Sequence, residues 1–380
     1  MTILIVDDHK VNLFVIENIL KNAGFTQYLS FTSANELFNY LHLDNEHAPK
    51  VPADCILMDI MMPEIDGIEA CRILQQSPRF RDIPVIFLTA LDDSQKLAEA
   101  LGAGGTDYIT KPINKVELIA RIHVAIRLKA EKDWHIEQEK KIKDELDLAT
   151  QVQRTLLSAP LEENCIAITS SYKPANKLAG DLYYWHKTDD GRYAIMLLDV
   201  MGHGISASLV CMFISSKLRD LMQQKIDPEI VMPELNKLMR YLNNDGTSLQ
   251  HYFTAIYLVI DCVNKTVEYV NAGHPPAFAL VDNQNVTALQ EGSCAVGFFP
   301  HLQVKKQVLR YTSSLQLLMF TDGVMEALDT SQTDGLKGLE QLASSPWVPE
   351  KARNPLDVIL PKELQEQQPD DMCVILVQTR

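Results

Sequence analysis

Short apolar runs alternate with segments of helical periodicity over the first third of the chain. The five runs are residues 3–6, 28–31, 55–58, 85–88 and 107–109. Between them apolar residues recur every three or four positions, as in Val15, Ile16 and Ile19, and Gly24 is the predicted C-cap of that helix. Buried strands alternating with helices predict an α/β domain with a doubly wound five-stranded parallel sheet over residues 1–125. Its functional site should lie beyond the carboxyl ends of the strands.

The segment that follows is charged and contains neither proline nor glycine between Pro112 and Pro160. This pattern predicts one long helix over residues 113–158. Apolar residues keep a three-to-four spacing along its second half, at Ile142, Leu146, Ala149, Val152 and Leu156. That spacing is typical of a coiled-coil seam and favours a homodimer formed through the helix, although a solvated single helix also fits.

Strand patterns dominate residues 159–380. The predicted strands are residues 193–199, 253–261, 266–271, 315–321 and 372–379. Helices are predicted near residues 206–224 and 228–243. Because strands and helices do not alternate simply here, we expect an α+β domain with layered β-sheets.

Charge and cysteine content narrow the function classes. The net charge of −15 argues against DNA or an anionic membrane as a partner. The seven cysteines stand apart with no C-x-x-C pair, which predicts buried free thiols rather than a zinc site or disulfides. The chain opens on a strand-like run with no signal peptide, and no apolar run is long enough to span a bilayer. We therefore expect a cytoplasmic protein.

Polar side chains stand at four of the five predicted strand ends. Asp7 and Asp8 follow the first run and Asp59 follows the third. A parallel sheet brings these carboxylates together, and Mg²⁺ suits such all-oxygen ligands. Thr89 and Lys111 follow the fourth and fifth runs, where they would contact a phosphoryl group carried by a carboxylate.

Residues 1–125 closely resemble the receiver domains of two-component response regulators. The resemblance rests on Asp7-Asp8, residues 58–67, Thr89-Ala90 and residues 108–112. It implies that a sensor histidine kinase phosphorylates Asp59.

The same resemblance implies a role for each remaining receiver residue. The implied Mg²⁺ ligands are Asp8, Asp59, the backbone carbonyl of Met61 and, through water, Asp7. Thr89 and Tyr108 would form the switch pair, and Lys111 would sense the phosphate. The Lys111–Pro112 peptide bond is expected to be cis, a state that is accessible before proline.

A second set of acids stands beside apolar runs in the other half of the chain, at Asp181, Asp199, Asp322 and Asp370. Neighbouring glycines permit tight turns and close backbone approach. Such a set can hold two divalent ions, which can activate water toward a phosphoester and stabilise the in-line transition state.

Residues 145–380 resemble the PPM family of metal-dependent Ser/Thr phosphatases, and within it the SpoIIE/RsbU branch. The resemblance rests on these acids, on residues 145–157 and on residues 271–276. It implies two Mn²⁺ or Mg²⁺ ions held by Asp181, Asp199, Asp322 and Asp370, with the Val200 carbonyl as a possible further ligand.

Three departures leave the general acid open. Ala179 replaces a glycine, Tyr184 replaces an acid, and the position two residues after Asp199 is not a histidine. The residues next to the site that could contribute are Gly202, His203, Gly204 and Asp371. His203 also fits a loop histidine without chemistry, and we expect His274 to shape a turn before two prolines.

Three function classes compete. The first is a phosphatase regulated by its receiver, with a phosphoprotein substrate such as an anti-sigma antagonist. The second is a non-catalytic adaptor resembling RssB, which would bind a sigma or anti-sigma factor through a phosphatase-like domain. The third is a DNA-binding regulator, which the acidic charge and the lack of a basic helix-turn-helix pattern disfavour. Retention of all four core acids favours the enzyme.

Overall fold

The computed structural model describes residues 1–45, 47–49, 51–90, 94–243, 251–329, 334–348, 353–366 and 370–379. The chain divides into two compact units, Met1–Ile142 and Lys143–Arg380. Each unit has hydrophobic cores of its own.

The first unit is the predicted doubly wound sheet. Its strands are β1 (Ile3–Val6), β2 (Tyr28–Phe31), β3 (Cys55–Asp59), β4 (Val85–Thr89) and β5 (Asp107–Thr110). They are parallel, in the order β2-β1-β3-β4-β5. Its helices are α1 (Lys10–Asn22), α2 (Ala34–Leu41), α3 (Gly67–Gln76), α4 (Ser94–Gly102) and α5 (Lys115–Arg154).

Alternation along the strands supplies a core on each face of this sheet. Leu4 and Val6 pack on one face with residues of α2 and α3. Ile3 and Ile5 pack on the other with residues of α1 and α5. The predicted C-cap of α1 is one residue off: Ala23 is the C-cap, and Gly24 follows it with φ +89°.

Helix α5 is 40 residues long, and the boundary between the units falls within it. The helix begins after Asn114, whose side-chain oxygen accepts a hydrogen bond from the backbone N–H of Val116 at 2.8 Å. Ile142 and Val152 of the predicted seam are 56% and 51% exposed within the single chain. A dimer through this helix stays a prediction.

The described strands of the second unit form two sheets. The strands are β6 (Leu161–Glu162), β7 (Ile166–Lys173), β8 (Asp181–Lys187), β9 (Tyr193–Val200), β10 (Phe253–Asp261), β11 (Thr266–Ala272), β12 (Ala277–Val281), β13 (Asn285–Leu289), β14 (Gly292–Ser293), β15 (Gln307–Arg310), β16 (Leu315–Phe320) and β17 (Met372–Thr379). One sheet has the order β14-β11-β10-β9-β8, with β15 also paired to β11, and the other has the order β13-β12-β16-β17-β7-β6.

Helices cover the outer face of each sheet. They are α6 (Ile205–Gln224), α7 (Pro228–Asn243), α8 (Asp322–Leu328), α9 (Gly335–Ala343), α10 (Pro355–Ile359) and α11 (Lys362–Gln365). Residues of α6 and α7 pack on the first sheet, and residues of α8, α9 and α10 pack on the second. A third core lies between the sheets, where Leu197 and Ile256 meet Leu317 and Ile375. The α+β prediction with layered sheets is confirmed.

The prediction of buried free thiols is met by most of the cysteines. The seven cysteines are free thiols, of which five are buried, Cys165 is half-buried and Cys294 is exposed. Across the described parts of the chain, no helix combines the length and the apolar character needed to cross a membrane.

Candidate functional site

The receiver site is built on strand ends at one edge of the parallel sheet. Asp7 follows β1 and Asp59 closes β3, and both side chains are buried. The ammonium group of Lys111 lies 2.8 Å from Asp7 Oδ2 and 2.9 Å from Asp59 Oδ2. The side-chain amide of Asn12 donates to both carboxylate oxygens of Asp7, at 2.9 and 3.0 Å. The chain itself therefore supplies a cation to its two most buried receiver acids.

Burial and this cation act in opposite directions on Asp59. Burial raises the pKa of the Asp59 carboxyl, and the hydrogen bond and charge of Lys111 offset part of that rise. For Lys111, burial works to lower the pKa, but the hydrogen bonds and charges of the two carboxylates outweigh it and the pKa is raised. Lys111 is therefore the group that offsets the cost of burying both carboxylates.

The predicted magnesium ligands are only partly brought together. In the residues that the structure describes, Asp7, Asp8 and His9 are the one group of three whose ligand atoms lie within 4.8 Å of one another. His9 was not predicted, and its Nδ1 lies 2.7 Å from Asp8 Oδ1. Asp59 is paired with Lys111 instead, and its carboxylate also accepts a hydrogen bond from the backbone of Met61. The oxygen donors that converge here still suit Mg²⁺.

The two residues of the expected switch pair, Thr89 and Tyr108, lie on the neighbouring strands β4 and β5. Thr89 is buried at the end of β4, and its carbonyl accepts the backbone N–H of Lys111 at 2.6 Å. Tyr108 is half-buried in β5 and packs against the core that holds α2 and α3. The Lys111–Pro112 bond is cis, as predicted. Gly67 is required sterically, because a Cβ there would lie 2.1 Å from the Asp59 carbonyl oxygen.

The second acidic site joins the ends of two sheets. Asp181 opens β8 and lies directly opposite Asp199 of β9 in the antiparallel register. Asp322 opens α8 at the end of β16, and Asp370 precedes β17. The hydroxyl of Thr321 donates to Asp181 Oδ2 at 2.8 Å and so ties the two sheet ends together.

The electrostatic neighbours of these acids are other acids. Burial raises the pKa of Asp181 well above its usual range, and the charges of Asp199 and Asp371 add to that effect. The pKa of Asp199 rises to about 8, first through burial and then through the charges of Asp322, Asp370 and Asp371. Burial and the charge of Asp370 also raise the pKa of Asp322. Like charges placed directly opposite in a sheet are destabilising.

This donor set fits divalent metal ions. Four carboxylates supply hard oxygen ligands of the kind that Mg²⁺ and Mn²⁺ prefer. Within the described residues they do not form a group as tight as Asp7, Asp8 and His9. A two-ion site is broader than a one-ion site, because its metals lie roughly 3.5–4 Å apart and each has its own ligands.

Asp371 has a structural role. Its two carboxylate oxygens accept the backbone N–H groups of Ala175 and Gly180, each at 2.8 Å, and so hold the loop that precedes Asp181. Gly323 fits beneath it, since a Cβ there would lie 2.2 Å from the Asp371 carbonyl oxygen. This residue therefore positions the loop, and its charge also acts on Asp181 and Asp199.

Sequence reasoning missed two residues that support the site, Gln153 and Thr321, and one acid beside it, Glu326. Gln153, on the part of α5 in the second unit, is buried. Its amide donates to the carbonyl of Ala179 at 2.7 Å and accepts the N–H of the same residue at 3.2 Å. Thr321 is the second. Glu326 follows Asp322 by one helical turn; burial raises its pKa, and the charge of Asp322 adds to the rise. A glutamine in a charged helix carries no distinguishing sequence signal, whereas Thr321 stands at the end of a predicted strand as Thr89 does.

The histidine candidates lie in different surroundings. His203 is exposed between Gly202 and Gly204, whose φ angles are +85° and +79°. His274 is buried, and burial lowers the pKa of its imidazole to about 3. Its backbone N–H donates to Asn271 Oδ1 at 2.8 Å. The expected role of His274 in shaping a turn stays a prediction. Val200, the possible carbonyl ligand, is buried beside Asp199.

Comparisons with known proteins match both units. The family described as Stage II sporulation protein E (SpoIIE) matches residues 189–380, and the response regulator receiver domain matches residues 3–123. The phosphoserine phosphatase RsbP of Bacillus subtilis is 36% identical over 238 residues, which cover 63% of this chain and 58% of RsbP. The histidine-protein kinase BarA of Escherichia coli is 39% identical over 118 residues, which are 31% of this chain and 12% of BarA.

A solved structure shows the fold of the second unit. The SiaA-PP2C domain of Pseudomonas aeruginosa superposes with a TM-score of 0.52 at 23% identity, covering 64% of this chain and 98% of that domain. Divalent metal ions are general to phosphatases of this kind. The chain therefore belongs to the SpoIIE family, as a response-regulator receiver domain fused to a PPM-type phosphatase domain.

Proposed function

We propose that this chain is a response regulator in which phosphorylation of Asp59 by a sensor histidine kinase controls a metal-dependent Ser/Thr protein phosphatase. The observation that carries the proposal is the convergence of four carboxylates from two sheets, with the pKa of Asp199 raised to about 8. Acids held at such a raised pKa without a neighbouring cation are typical of a site built for metal ions.

The receiver residues have separate tasks in this proposal. Asp7, Asp8, Asp59 and the Met61 carbonyl would hold one Mg²⁺. Lys111 already bonds the Asp59 carboxylate and would hold an oxygen of the phosphoryl group placed there. Thr89 and Tyr108 would carry the resulting shift away from the site.

The phosphatase residues act as ligands and as their supports. Asp181, Asp199, Asp322 and Asp370, with the Val200 carbonyl, would hold two Mn²⁺ or Mg²⁺ ions. These ions supply a nucleophile at neutral pH and offset the charge that develops on the phosphoryl oxygens.

The supporting residues hold this arrangement from behind. Thr321 orients Asp181 through its 2.8 Å hydrogen bond, while Asp371 and Gln153 fix the loop before β8. Gly202, His203 and Gly204 border the site at the start of α6 and remain candidates for contact with the substrate.

We propose a small phosphoprotein as substrate, such as an anti-sigma antagonist. The likeness to RsbP, named as a phosphoserine phosphatase, supports this class. A homodimer through α5 fits the exposed apolar residues of that helix. No DNA or membrane partner is proposed for this acidic chain.

The test is hydrolysis of p-nitrophenyl phosphate by the full chain with Mn²⁺. We expect turnover that Asp199→Asn reduces by about 10³-fold or more, because loss of a metal ligand removes most transition-state stabilisation. The matched control is Asp189→Asn, an exposed aspartate outside the site, which should keep full activity. Addition of beryllofluoride, which mimics the acyl phosphate at Asp59, should change the rate in the wild type and not in Asp59→Asn.

Absence of metal-dependent turnover would contradict the enzyme and favour the adaptor that binds a sigma or anti-sigma factor. If the enzyme is active but its rate does not change with beryllofluoride, only the proposed control by the receiver is contradicted.

A further inference from the structure

A cavity of about 230 Å³ lies in the first unit, away from the phosphorylation site. Its walls come from four segments: Gln75 at the end of α3, residues 81–84 before β4, Gly104 and Thr106 before β5, and Leu128, Lys129 and Lys132 of α5. These segments meet at the amino ends of β4 and β5. Asp59 and Lys111 stand at the opposite, carboxyl edge of the sheet.

The cavity is cationic although the chain is strongly acidic. Its lining contains Arg81, Lys129 and Lys132 against one acid, Asp82. The chain as a whole carries a net charge of −15. Three cations around one cavity are therefore a local reversal of the prevailing charge.

The ammonium group of Lys129 is buried, with 7% of the side chain exposed. Its partner is Asp133 one turn later, at 2.7 and 3.0 Å, and that carboxylate is half exposed. Burying an ammonium group is unfavourable unless it is paired and hydrogen-bonded. A buried cation held by one partner in contact with solvent can exchange that partner for a ligand.

All three cations of the cavity lower the pKa of the Asp82 carboxyl. Its carboxylate lies 2.6 Å from Lys132. The hydrogen bond from Lys132 lowers the pKa of Asp82, and the charges of Arg81 and Lys129 lower it further. Among the ion pairs of the described residues, Arg81 has no carboxylate within 4.0 Å. Asp82 and Asp133 thus pair with Lys132 and Lys129, and the guanidinium of Arg81 is available to a further anion.

We propose that this cavity binds a dianionic phosphoryl group, either as inorganic phosphate or carried on a small organic molecule. A planar guanidinium and two ammonium groups provide the charge-assisted donors that phosphate oxygens accept. The volume lies below the roughly 300–1,000 Å³ of pockets for drug-sized ligands, which favours a small ligand. Ile83, Pro84 and Leu128 give the cavity an apolar wall against which a short carbon chain fits.

Such a ligand would join α5 to the loops before β4 and β5. Helix α5 continues beyond the unit boundary to Arg154. Binding would therefore stiffen the root of the helix that leaves the receiver, as an input separate from Asp59.

The test is calorimetric titration of metal-free, full-length protein with inorganic phosphate and with glycerol 3-phosphate, using glycerol as the neutral control. We expect saturable binding with a Kd below about 1 mM. Arg81→Gln and Lys129→Gln should each weaken it by about tenfold, since a hydrogen bond to a charged group is lost. Lys140→Gln removes the same charge from an exposed position of the same helix and should bind as the wild type does.

Hydrogen exchange locates the site. Ligand should slow exchange in residues 81–84, 104–106 and 128–132, and it should do so equally in Lys111→Gln, which disables the phosphorylation site. Binding of phosphate alone would identify the free ion as ligand, and binding of both probes would identify the phosphoryl group on a small molecule. Absence of saturable binding, an unchanged affinity in Arg81→Gln, or loss of binding in Lys111→Gln would overturn the proposal.

Discussion

The two acidic sites differ in how the chain balances their charge. In the receiver, Lys111 lies 2.8 Å from Asp7 and 2.9 Å from Asp59. In the phosphatase unit, the charged groups that act on Asp199 are other carboxylates, and its pKa rises to about 8. The receiver site is therefore largely balanced from within, whereas the phosphatase site needs metal ions or protons from outside.

This difference makes the same mutation act in opposite directions. Replacing an aspartate by asparagine in the receiver removes a partner from a buried cation. The same change in the phosphatase site relieves repulsion while it removes a metal ligand. In the receiver, the mutation should lower both stability and function. In the phosphatase site, it should raise stability and lower activity, as expected where function is assembled at the expense of folding stability.

The largest expected effect is the opposite change in unfolding free energy that Asp199→Asn and Asp7→Asn cause in metal-free protein at pH 9. Asp199→Asn should raise the free energy of unfolding of the second unit by about 1–3 kcal/mol, because a buried, repelled carboxylate is removed. Asp7→Asn should lower that of the first unit by about 1–3 kcal/mol, because Lys111 loses a partner. Proteolysis across a urea series, with peptides assigned by mass spectrometry, reports each unit separately. Shifts of the same sign in both units would remove the distinction.

The next effect concerns the support of the phosphatase site by α5. Gln153→Leu leaves the N–H and carbonyl of Ala179 buried without their partner and frees the loop before Asp181. We expect kcat/KM to fall by about 10–100-fold, since displacement of a site by roughly 1 Å costs that much, and Mn²⁺ affinity to fall with it. Gln151→Leu on the exposed side of the same helix is the control. Equal losses in both variants would show that helix composition, and not this contact, is responsible.

Some strands of the fold were predictable from the sequence and others were not. β1, β3 and β16 are apolar runs bounded by polar residues. β1 has the predicted bounds, and β3 and β16 each differ from the predicted range by one residue. Sequence patterning did not predict the other seven strands of the second unit, which are β6, β7, β8, β12, β13, β14 and β15. Of these, the two-residue strands β6 and β14 are held by backbone pairing and leave no side-chain period.

Some site residues were likewise predictable from the sequence and others were not. Acids at strand ends could be found because a strand end is a local feature of the sequence. The supporting contacts of Thr321 and Gln153 could not, because their partners Asp181 and Ala179 are distant in the chain and the contacts exist only once the sheets are assembled. Asp371 was expected beside the site, and only its two backbone contacts show that it holds a loop.

A smaller effect is the pH dependence of metal binding. The folded pKa of Asp199, about 8, exceeds its ordinary 3.8, so the folded state binds more protons between these values. The metal-free second unit should therefore lose stability as pH rises through that window. The stabilisation from Lys111, whose folded pKa is also raised, persists up to its ordinary 10.5 and is lost only above it.

Since Mn²⁺ must displace the Asp199 proton, its affinity should rise by up to about tenfold per pH unit between pH 6 and 8. Calorimetry in two buffers of different ionisation enthalpy measures the released protons. Asp199→Asn should flatten the dependence, and a flat wild-type profile would show that this carboxyl is already ionised.

The smallest expected effect is at His203. This side chain is exposed. Burial raises the pKa of Asp371, and the charge of His203 offsets that rise less than the backbone hydrogen bonds from Ala175 and Gly180 do. We expect His203→Gln to change kcat/KM by less than about threefold, as for a surface residue, with exposed His301→Gln as the control. A general acid contributes about 10²–10⁴-fold. A loss of that size at His203 and not at His301, with the alkaline limb of the pH–rate profile abolished, would identify His203 as the proton donor. The phosphatase site would then have a positively charged side chain of its own, as the receiver site has Lys111.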